Sequence, residues 1–341
     1  MKKILIIKFS ALGDIIHTLP ALYNLKQQGN VSITWFVSRT YKEILEGNPC
    51  IDKLIIFERE RWRGFKTCLT RLNEIWKTIK EIRKEQFDIV IDFQGLFRSG
   101  FFTLLSGAKR RIGFASAREL AFLGYNEKIK IDSGIRHAID KNALLAKHVT
   151  GREVINKYPV YISKQVKVSL EEWGDKKTLI AIVPGTRWES KRWSTRNFAK
   201  LIDMAVESCK ARLLILGGKS DRPLAAKILK LSTHGEYIKN LTGETNLKEL
   251  VSIISEADVV ISNDSGPMHI AVATDTPVIG LFGPTDISKT GPVGEKHTAL
   301  IAQLPCSPCR NRVCDKKPFC MDELLPEDVF KILEKKLYEN K

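Results

Sequence analysis

Short β-branched runs alternate along this chain with stretches of helical period, and the alternation begins twice. Ile4–Lys8, Ser32–Val37, Leu54–Phe57 and Asp88–Asp92 read as buried strands. Asp14–Gln28 and Arg71–Glu85 predict helices between them. In the second of these, Leu72, Ile75, Trp76, Ile79 and Ile82 recur at helical spacing and predict one buried face. The pattern blurs over 109–132, a helix follows over His137–Val149, and 150–178 reads as a linker with a short strand and helix. It then restarts with a strand at Leu179–Val183, a helix at Asn197–Cys209, a strand at Arg212–Leu216 and a helix at Leu247–Ala257. Next come a strand from Val259 to Ile261, a helix from Met268 to about Thr274 and a strand from Pro277 to Phe282. An amphipathic helix from Pro326 to Tyr338 ends the chain.

Two such arrays predict an α/β chain of two Rossmann-like domains with parallel sheets facing across a cleft. The 341 residues exceed one ordinary core, which agrees. Composition is globular, 43% hydrophobic and 28% charged. No apolar window is long enough to span a membrane. The basic, apolar start MKKILIIKFSALGD lacks a cleavage pattern and reads as a first strand in a cytoplasmic protein. A net charge of +16 favours phosphates, nucleic acid or an anionic membrane, or is a generic Lys-rich surface.

The loops after strands carry the chemistry. Asn263-Asp264-Ser265-Gly266-Pro267 breaks one strand and starts a helix, with Ser265 or Asp264 as cap and Pro267 in the first turn. Gly283-Pro284-Thr285-Asp286 ends the next strand on the same sheet edge. Ligands sit at that edge in open α/β sheets, and a helix N-terminus there suits an anion. Ser10-Ala11-Leu12-Gly13-Asp14 follows the first strand and is not a dinucleotide fingerprint. Asp14 is either a partner of the helix dipole or a fixed base facing the cleft. His17, one turn on, is a ligand-facing group or a packed histidine. Pro184 to Trp193, PGTRWESKRW, gathers Thr186, Arg187, Lys191 and Arg192 and suits a diphosphate. No Asp-x-Asp pair occurs anywhere, so Lys and Arg, not Mg²⁺ or Mn²⁺, are expected to meet the leaving diphosphate.

Four of the seven cysteines fall in Cys306-x2-Cys309-x4-Cys314-x5-Cys320. The cluster reads either as thiols without a metal or as a tetrahedral zinc site, with an iron–sulfur cluster or disulfides behind these, and any bound metal is expected in a closed, four-thiolate, structural site. The cluster is far in sequence from Asp14 and Lys191, so losing it is expected to lower stability and leave the chemistry intact. Cys50, Cys68 and Cys209 read as ordinary thiols.

KFSALGDIIHTLPAL at the start, DFQGLFRSG at 92–100, PGTRWESKRW and SNDSGPMHIAVATDTPVIGLFGPTD together resemble glycosyltransferase family 9, the ADP-heptose:lipopolysaccharide heptosyltransferases. The likeness covers essentially the whole chain, and His-Thr-Leu-Pro, the Asp-Phe-Gln-Gly-Leu block and Arg136-His137-Ala138 are most similar to type I enzymes. The cysteine-rich tail is absent from some of those. The resemblance implies a GT-B fold in which 1–160 binds the acceptor, 161–325 binds the nucleotide-sugar and carries the cysteine-rich tail, and 326–341 is a terminal helix. It implies an inverting, metal-independent transfer of heptose from ADP-heptose to Kdo–lipid A, with domain closure excluding water, in a cytoplasmic enzyme peripheral at the inner face of the inner membrane. Asp14 matches the general base and Lys191 the lysine on the donor diphosphate. Thr186 and Arg187 lie where donor phosphates are met, and Asp264, Ser265, Gly266 and His269 shape the donor pocket. Ser10, Gly13, Arg98 and Arg118 are the acceptor candidates, and Ala11 departs from a Ser-rich loop. Zinc, if any, is structural. Heptosyltransferase II is the nearest alternative. A sugar-nucleotide epimerase is disfavoured by Asp14 in the opposite domain. A nucleic-acid-binding protein is disfavoured because the cations are spread along the chain.

Overall fold

The computed structural model describes residues 1–58, 68–162, 178–316 and 319–339. The strand and helix expected within 150–178 fall largely outside these residues, as do the side chains of Cys68 and Leu72. Two compact units are formed, Met1–Tyr161 and Ile162–Lys341.

In the first unit the strands are β1 (Lys2–Ile7), β2 (Val31–Ser38), β3 (Lys53–Phe57), β4 (Ile89–Asp92), β5 (Arg110–Phe114) and β6 (Glu127–Ile129). They pair in parallel in the order β3-β2-β1-β4-β5-β6. The helices are α1 (Leu12–Ile16), α2 (Leu19–Lys26), α3 (Cys68–Lys84), α4 (Phe97–Leu105) and α5 (Ala138–Thr150). Ile4, Leu5, Ile6 and Ile7 are all fully buried. Consecutive burial means that both faces of β1 are covered, as the unbroken apolar run required.

In the second unit the strands are β7 (Leu179–Val183), β8 (Arg212–Ile215), β9 (Ile238–Asn240), β10 (Val259–Asn263), β11 (Val278–Phe282) and β12 (Thr298–Ile301). They pair in parallel as β12-β11-β10-β7-β8-β9. The helices are α6 (Thr195–Cys209), α7 (Arg222–Leu231), α8 (Leu247–Glu256), α9 (Gly266–Ala273), α10 (Ile287–Thr290) and α11 (Pro326–Glu339). Counted from its own first strand, each sheet has the order 3-2-1-4-5-6. The direction of winding therefore reverses between β1 and β4, and again between β7 and β10. Crevices for ligands open at the C-terminal ends of those strand pairs. Val329, Leu333 and Leu337 of α11 join the core that Phe198, Leu201 and Ile202 of α6 form with the sheet.

Three expectations change. The single helix over Asp14–Gln28 is two helices, broken at His17 and Thr18. Pro20 is the reason: it has no N–H to continue the first helix and fits the first turn of a second. Trp76 is 53% exposed, whereas Ile79 and Ile82 are buried. It lies about 100° round the helix from Ile75, at the margin of the buried arc. The blurred stretch over 109–132 holds β5, β6 and a 3-10 turn at Ala121–Gly124.

Candidate functional site

In the first unit, β1 and β4 run side by side with Ile7 opposite Asp92. The loops that follow them meet through Gln94. Its Oε1 accepts from the N–H groups of Phe9 at 3.0 Å and Ser10 at 3.1 Å. Asp14 stands in the first turn of α1, exposed, with Oδ2 accepting the Ala11 N–H at 3.0 Å. The carboxylate thus completes the helix start while the residue stays exposed. Lys8, the residue after β1, is buried and donates from Nζ to the Phe93 carbonyl at 2.9 Å. Burial pulls its ammonium below the usual lysine range, while the Asp14 and Asp92 carboxylates act against that and Arg118 adds to it. Asp92 is fully buried. Burial pushes its carboxyl up, against bonds from Tyr125 Oη at 2.6 Å and from the Gln94 and Gly95 N–H groups. Ser10, Gly13, Asp14 and Arg118 are therefore brought to one edge around Lys8. Arg98 sits in the first turn of α4, on the helix that follows β4. His17 is buried and packs edge-on to His137, ring centroids 5.5 Å apart.

In the second unit, β7 and β10 pair with Val183 opposite Ser262. Asp264, just past β10, is buried. Its Oδ2 accepts from Lys191 Nζ at 2.6 Å and from Thr285 Oγ1 at 2.6 Å. Thr186 Oγ1 donates to the Asp264 carbonyl at 3.2 Å. Asn263 Nδ2 donates to the Pro184 carbonyl at 2.8 Å, and its Oδ1 accepts the Trp193 N–H at 3.2 Å. The PGTRWESKRW loop is thereby clamped to the loop after β10. Lys191 Nζ also lies 4.5 Å from the centroid of the Trp188 ring, a cation–π contact. Ser265 caps α9, and its hydroxyl lies 3.2 Å from that of Ser262 rather than on a first-turn N–H. The N–H groups from Gly266 onward keep their capacity for an anion. His269 is buried in α9, and Arg187 is exposed on its loop.

The four clustered cysteines line one small cavity with Ser190, Pro284, Leu304 and Ser307. None is in a disulfide. Burial and the three neighbouring sulfurs push the Cys320 thiol up to about 11. Among the described residues, no group of three or more His, Cys, Asp or Glu side chains is arranged to hold a metal ion. The thiols converge without taking ligand positions. Distance in sequence is also misleading here. Ser190, next to Lys191, donates from Oγ to the Asn311 carbonyl at 2.6 Å and from its N–H to the Arg312 carbonyl at 3.2 Å. The cysteine loop is thus a wall of the Lys191 loop.

Lys8, Gln94, Trp188 and Thr285 contact the candidate residues, and sequence reasoning missed them. Lys8 left a signal, a cation closing an otherwise apolar strand. The other three lay inside motifs quoted above but carry no charge that would single them out.

Two doubly wound units, each with polar loops at its reversal point, are the architecture of GT-B glycosyltransferases. Residues 75–319 match the family model described as "Glycosyltransferase family 9 (heptosyltransferase)". Lipopolysaccharide heptosyltransferase 1 of Pseudomonas aeruginosa is 27% identical over 321 residues, 93% of this chain and 88% of that protein. The protein of the same name from Salmonella typhimurium is 29% identical over 314 residues, 91% and 95% of the two chains. The solved structure of E. coli ADP-heptose lps heptosyltransferase II superposes with a TM-score of 0.81 at 20% identity, over 100% of this chain and 99% of that one. The chain belongs to glycosyltransferase family 9, and it is a transferase.

Proposed function

We propose that this enzyme moves a heptose from ADP-heptose to the Kdo–lipid A inner core of lipopolysaccharide, with inversion and without a metal at the reacting atoms. The observation that carries the reading is the division of chemistry between the two reversal points. The first offers an exposed carboxylate, Asp14, and the second a partly buried Lys191 beside the buried Asp264 and the start of α9. The names of the relatives supply the donor and acceptor class.

In this mechanism Asp14 takes the proton from the acceptor hydroxyl as that oxygen bonds to the anomeric carbon. The anomeric C–O bond to the diphosphate breaks, and its electron pair leaves with ADP. Attack from the face opposite the leaving group inverts the configuration. Lys191, Thr186 and the first N–H groups of α9 stabilise the charge that develops on the diphosphate. Arg187 adds a cation on the same loop. Asp264 accepts from sugar hydroxyls while holding Lys191, with Ser265, Gly266 and His269 completing the donor pocket. Ser10, Gly13, Arg98 and Arg118 hold the acceptor, and the two arginines meet its phosphates or carboxylates.

The domain roles follow: 1–160 takes the acceptor and 161–325 the donor. The enzyme works at the cytoplasmic face of an anionic inner membrane. Among the described residues no helix is long and apolar enough to cross it. Zinc on Cys306, Cys309, Cys314 and Cys320 belongs to the reading as a structural ion, supported by the shared cavity. The thiols must draw in to bind it. Protein purified without chelator should carry about one zinc per chain, and less than about 0.2 equivalents rejects it.

Mass spectrometry of products from ADP-heptose with a panel of truncated lipopolysaccharide acceptors tests the function. A heptose added to the Kdo-terminated acceptor is expected. Transfer only to an acceptor already carrying one heptose makes the enzyme type II instead. No transfer to any member rejects the reading.

A further inference from the structure

We propose that the face formed by α4 and the 3-10 turn Ala121–Gly124 docks on the surface of an anionic lipid bilayer. The proposal rests on the acceptor being lipid-linked, as read above, and it names the surface that meets the lipid.

Four large apolar side chains stand out on this face. Phe97 is 57% exposed, Leu104 48%, Leu120 61% and Leu123 62%. On α4, Phe97, Phe101 and Leu104 occupy positions i, i+4 and i+7 and so share one stripe. The Phe97 and Phe101 rings stack with centroids 6.3 Å apart. Gly100 lies on the same arc, and the turn is pressed against it. A Cβ on Gly100 would come within 2.6 Å of the Ala121 carbonyl oxygen, and one on Gly124 within 2.2 Å of the Gly100 oxygen. Helix and turn therefore meet backbone to backbone, and Leu120 and Leu123 border the stripe of α4.

The charge in the stretch that forms the patch is mostly positive. Between 97 and 130 the cations are Arg98, Lys109, Arg110, Arg111, Arg118, Lys128 and Lys130, against Glu119 and Glu127 only. Glu127 is committed to Arg110 through a bidentate pair, and Glu119 accepts the Phe97 N–H at 3.2 Å. Lys128 lies 5.5 Å from the centroid of the Phe122 ring. Exposed aromatic and leucine side chains within a basic surround are the chemistry of an anionic bilayer interface. Each cation near such a surface adds to the attraction. Solvent gives clustered apolar side chains of this size no such return.

The patch is also continuous with the candidate site. α4 starts five residues past Asp92, at the edge that carries Asp14, and Arg118 and Asp14 both act on Lys8, with opposite sign. A molecule anchored in the bilayer by its acyl chains would present its polar head to that edge.

The test uses the full chain and co-sedimentation with vesicles of phosphatidylglycerol and phosphatidylcholine, compared with phosphatidylcholine alone. The wild type should partition onto the anionic vesicles at least tenfold better than onto the neutral ones. Phe97→Ser/Leu120→Ser/Leu123→Ser should lose at least tenfold of that partition, with its melting temperature and its turnover on a deacylated, water-soluble acceptor unchanged within twofold. Leu123→Ser alone, expected to lose about threefold, serves if the triple variant fails to fold. Equal vesicle binding by wild type and variant overturns the proposal. So does equal binding to neutral and anionic vesicles, or a change of oligomeric state in the variant, which would make the patch a protein interface. Vesicle binding needs no sugar. Patch-dependent binding without heptosyl transfer would count against the function proposed above and leave the docking surface standing.

Discussion

Asp14 is bonded in a way that separates its two roles. Its Oδ2 accepts the Ala11 N–H, and an asparagine oxygen can do the same, so Asp14→Asn keeps the helix start. It has no basic oxygen, so turnover should fall by roughly 10²–10⁴. ADP-heptose affinity, read by calorimetric titration, should stay within twofold. Turnover near the wild-type level would place the base elsewhere. Lys191 and Asp264 behave differently because both are largely shielded, with 15% and 7% of their side chains exposed. Lys191→Ala leaves a buried carboxylate with only Thr285 as a side-chain donor among the described contacts, a change that costs a few kcal/mol. Donor affinity, turnover and melting temperature should all fall. Adding Asp264→Asn should restore much of the melting temperature and none of the affinity. Transfer by the wild type should persist through brief treatment with EDTA. Loss restored by Mg²⁺ would show a metal at the diphosphate.

At the scale of elements, legibility followed periodicity. Unbroken runs rich in β-branched residues, such as those in Ile4–Lys8 and Val259–Ile261, marked the central strands within a few residues of β1 and β10. Edge strands were harder. β6 and β9 are three residues each and only partly buried, so no sustained apolar pattern marks them. α7 follows directly on the polar 3-10 turn Lys219–Asp221, and it too was missed. Charged and hydroxyl residues in the loops after strands were legible as site candidates, since Asp14, Lys191 and Asp264 announce themselves by type. What joins them was not, because hydrogen bonds such as Gln94 to Phe9 and Ser10 depend on which strands are neighbours. The same holds for the cysteine loop. Because Ser190 hangs from the carbonyls of Asn311 and Arg312, disturbing the cysteines should reach Lys191. Cys309→Ser/Cys314→Ser is expected to weaken ADP binding severalfold in calorimetric titration, as well as lowering the melting temperature. Unchanged ADP affinity would restore the view that this loop is remote from the chemistry.

Over the whole molecule, acid should act through two groups that sequence alone does not distinguish. Burial holds His297 down to about 4, and the bond to Arg110, helped by His148, holds Glu127 down to about 2. Between pH 6.5 and 4 the unfolded chain binds a proton at His297 that the folded chain does not, so stability should fall as pH drops through that window. The slope is at most about 1.4 kcal/mol per pH unit for one group. Below about pH 4.5 the contribution of Glu127 is lost in turn, until it is gone near pH 2. Urea unfolding across pH 4–7 should therefore slope for the wild type and flatten for His297→Gln. An equal slope in that variant would put the acid sensitivity elsewhere. The repeated strand order bears on motion as well. β1, β2, β4 and β5 in the first unit and β7, β8, β10 and β11 in the second each have a paired strand on both sides, while β3, β6, β9 and β12 have one. Amide protons of these eight inner strands can reach deuterated solvent only when a unit opens as a whole, and those of the outer strands escape by fraying. The slowest-exchanging protons should then map to these inner strands, among them the ones whose ends carry Asp14, Thr186 and Asp264, so that the reacting groups hang from the parts of each unit that open least often.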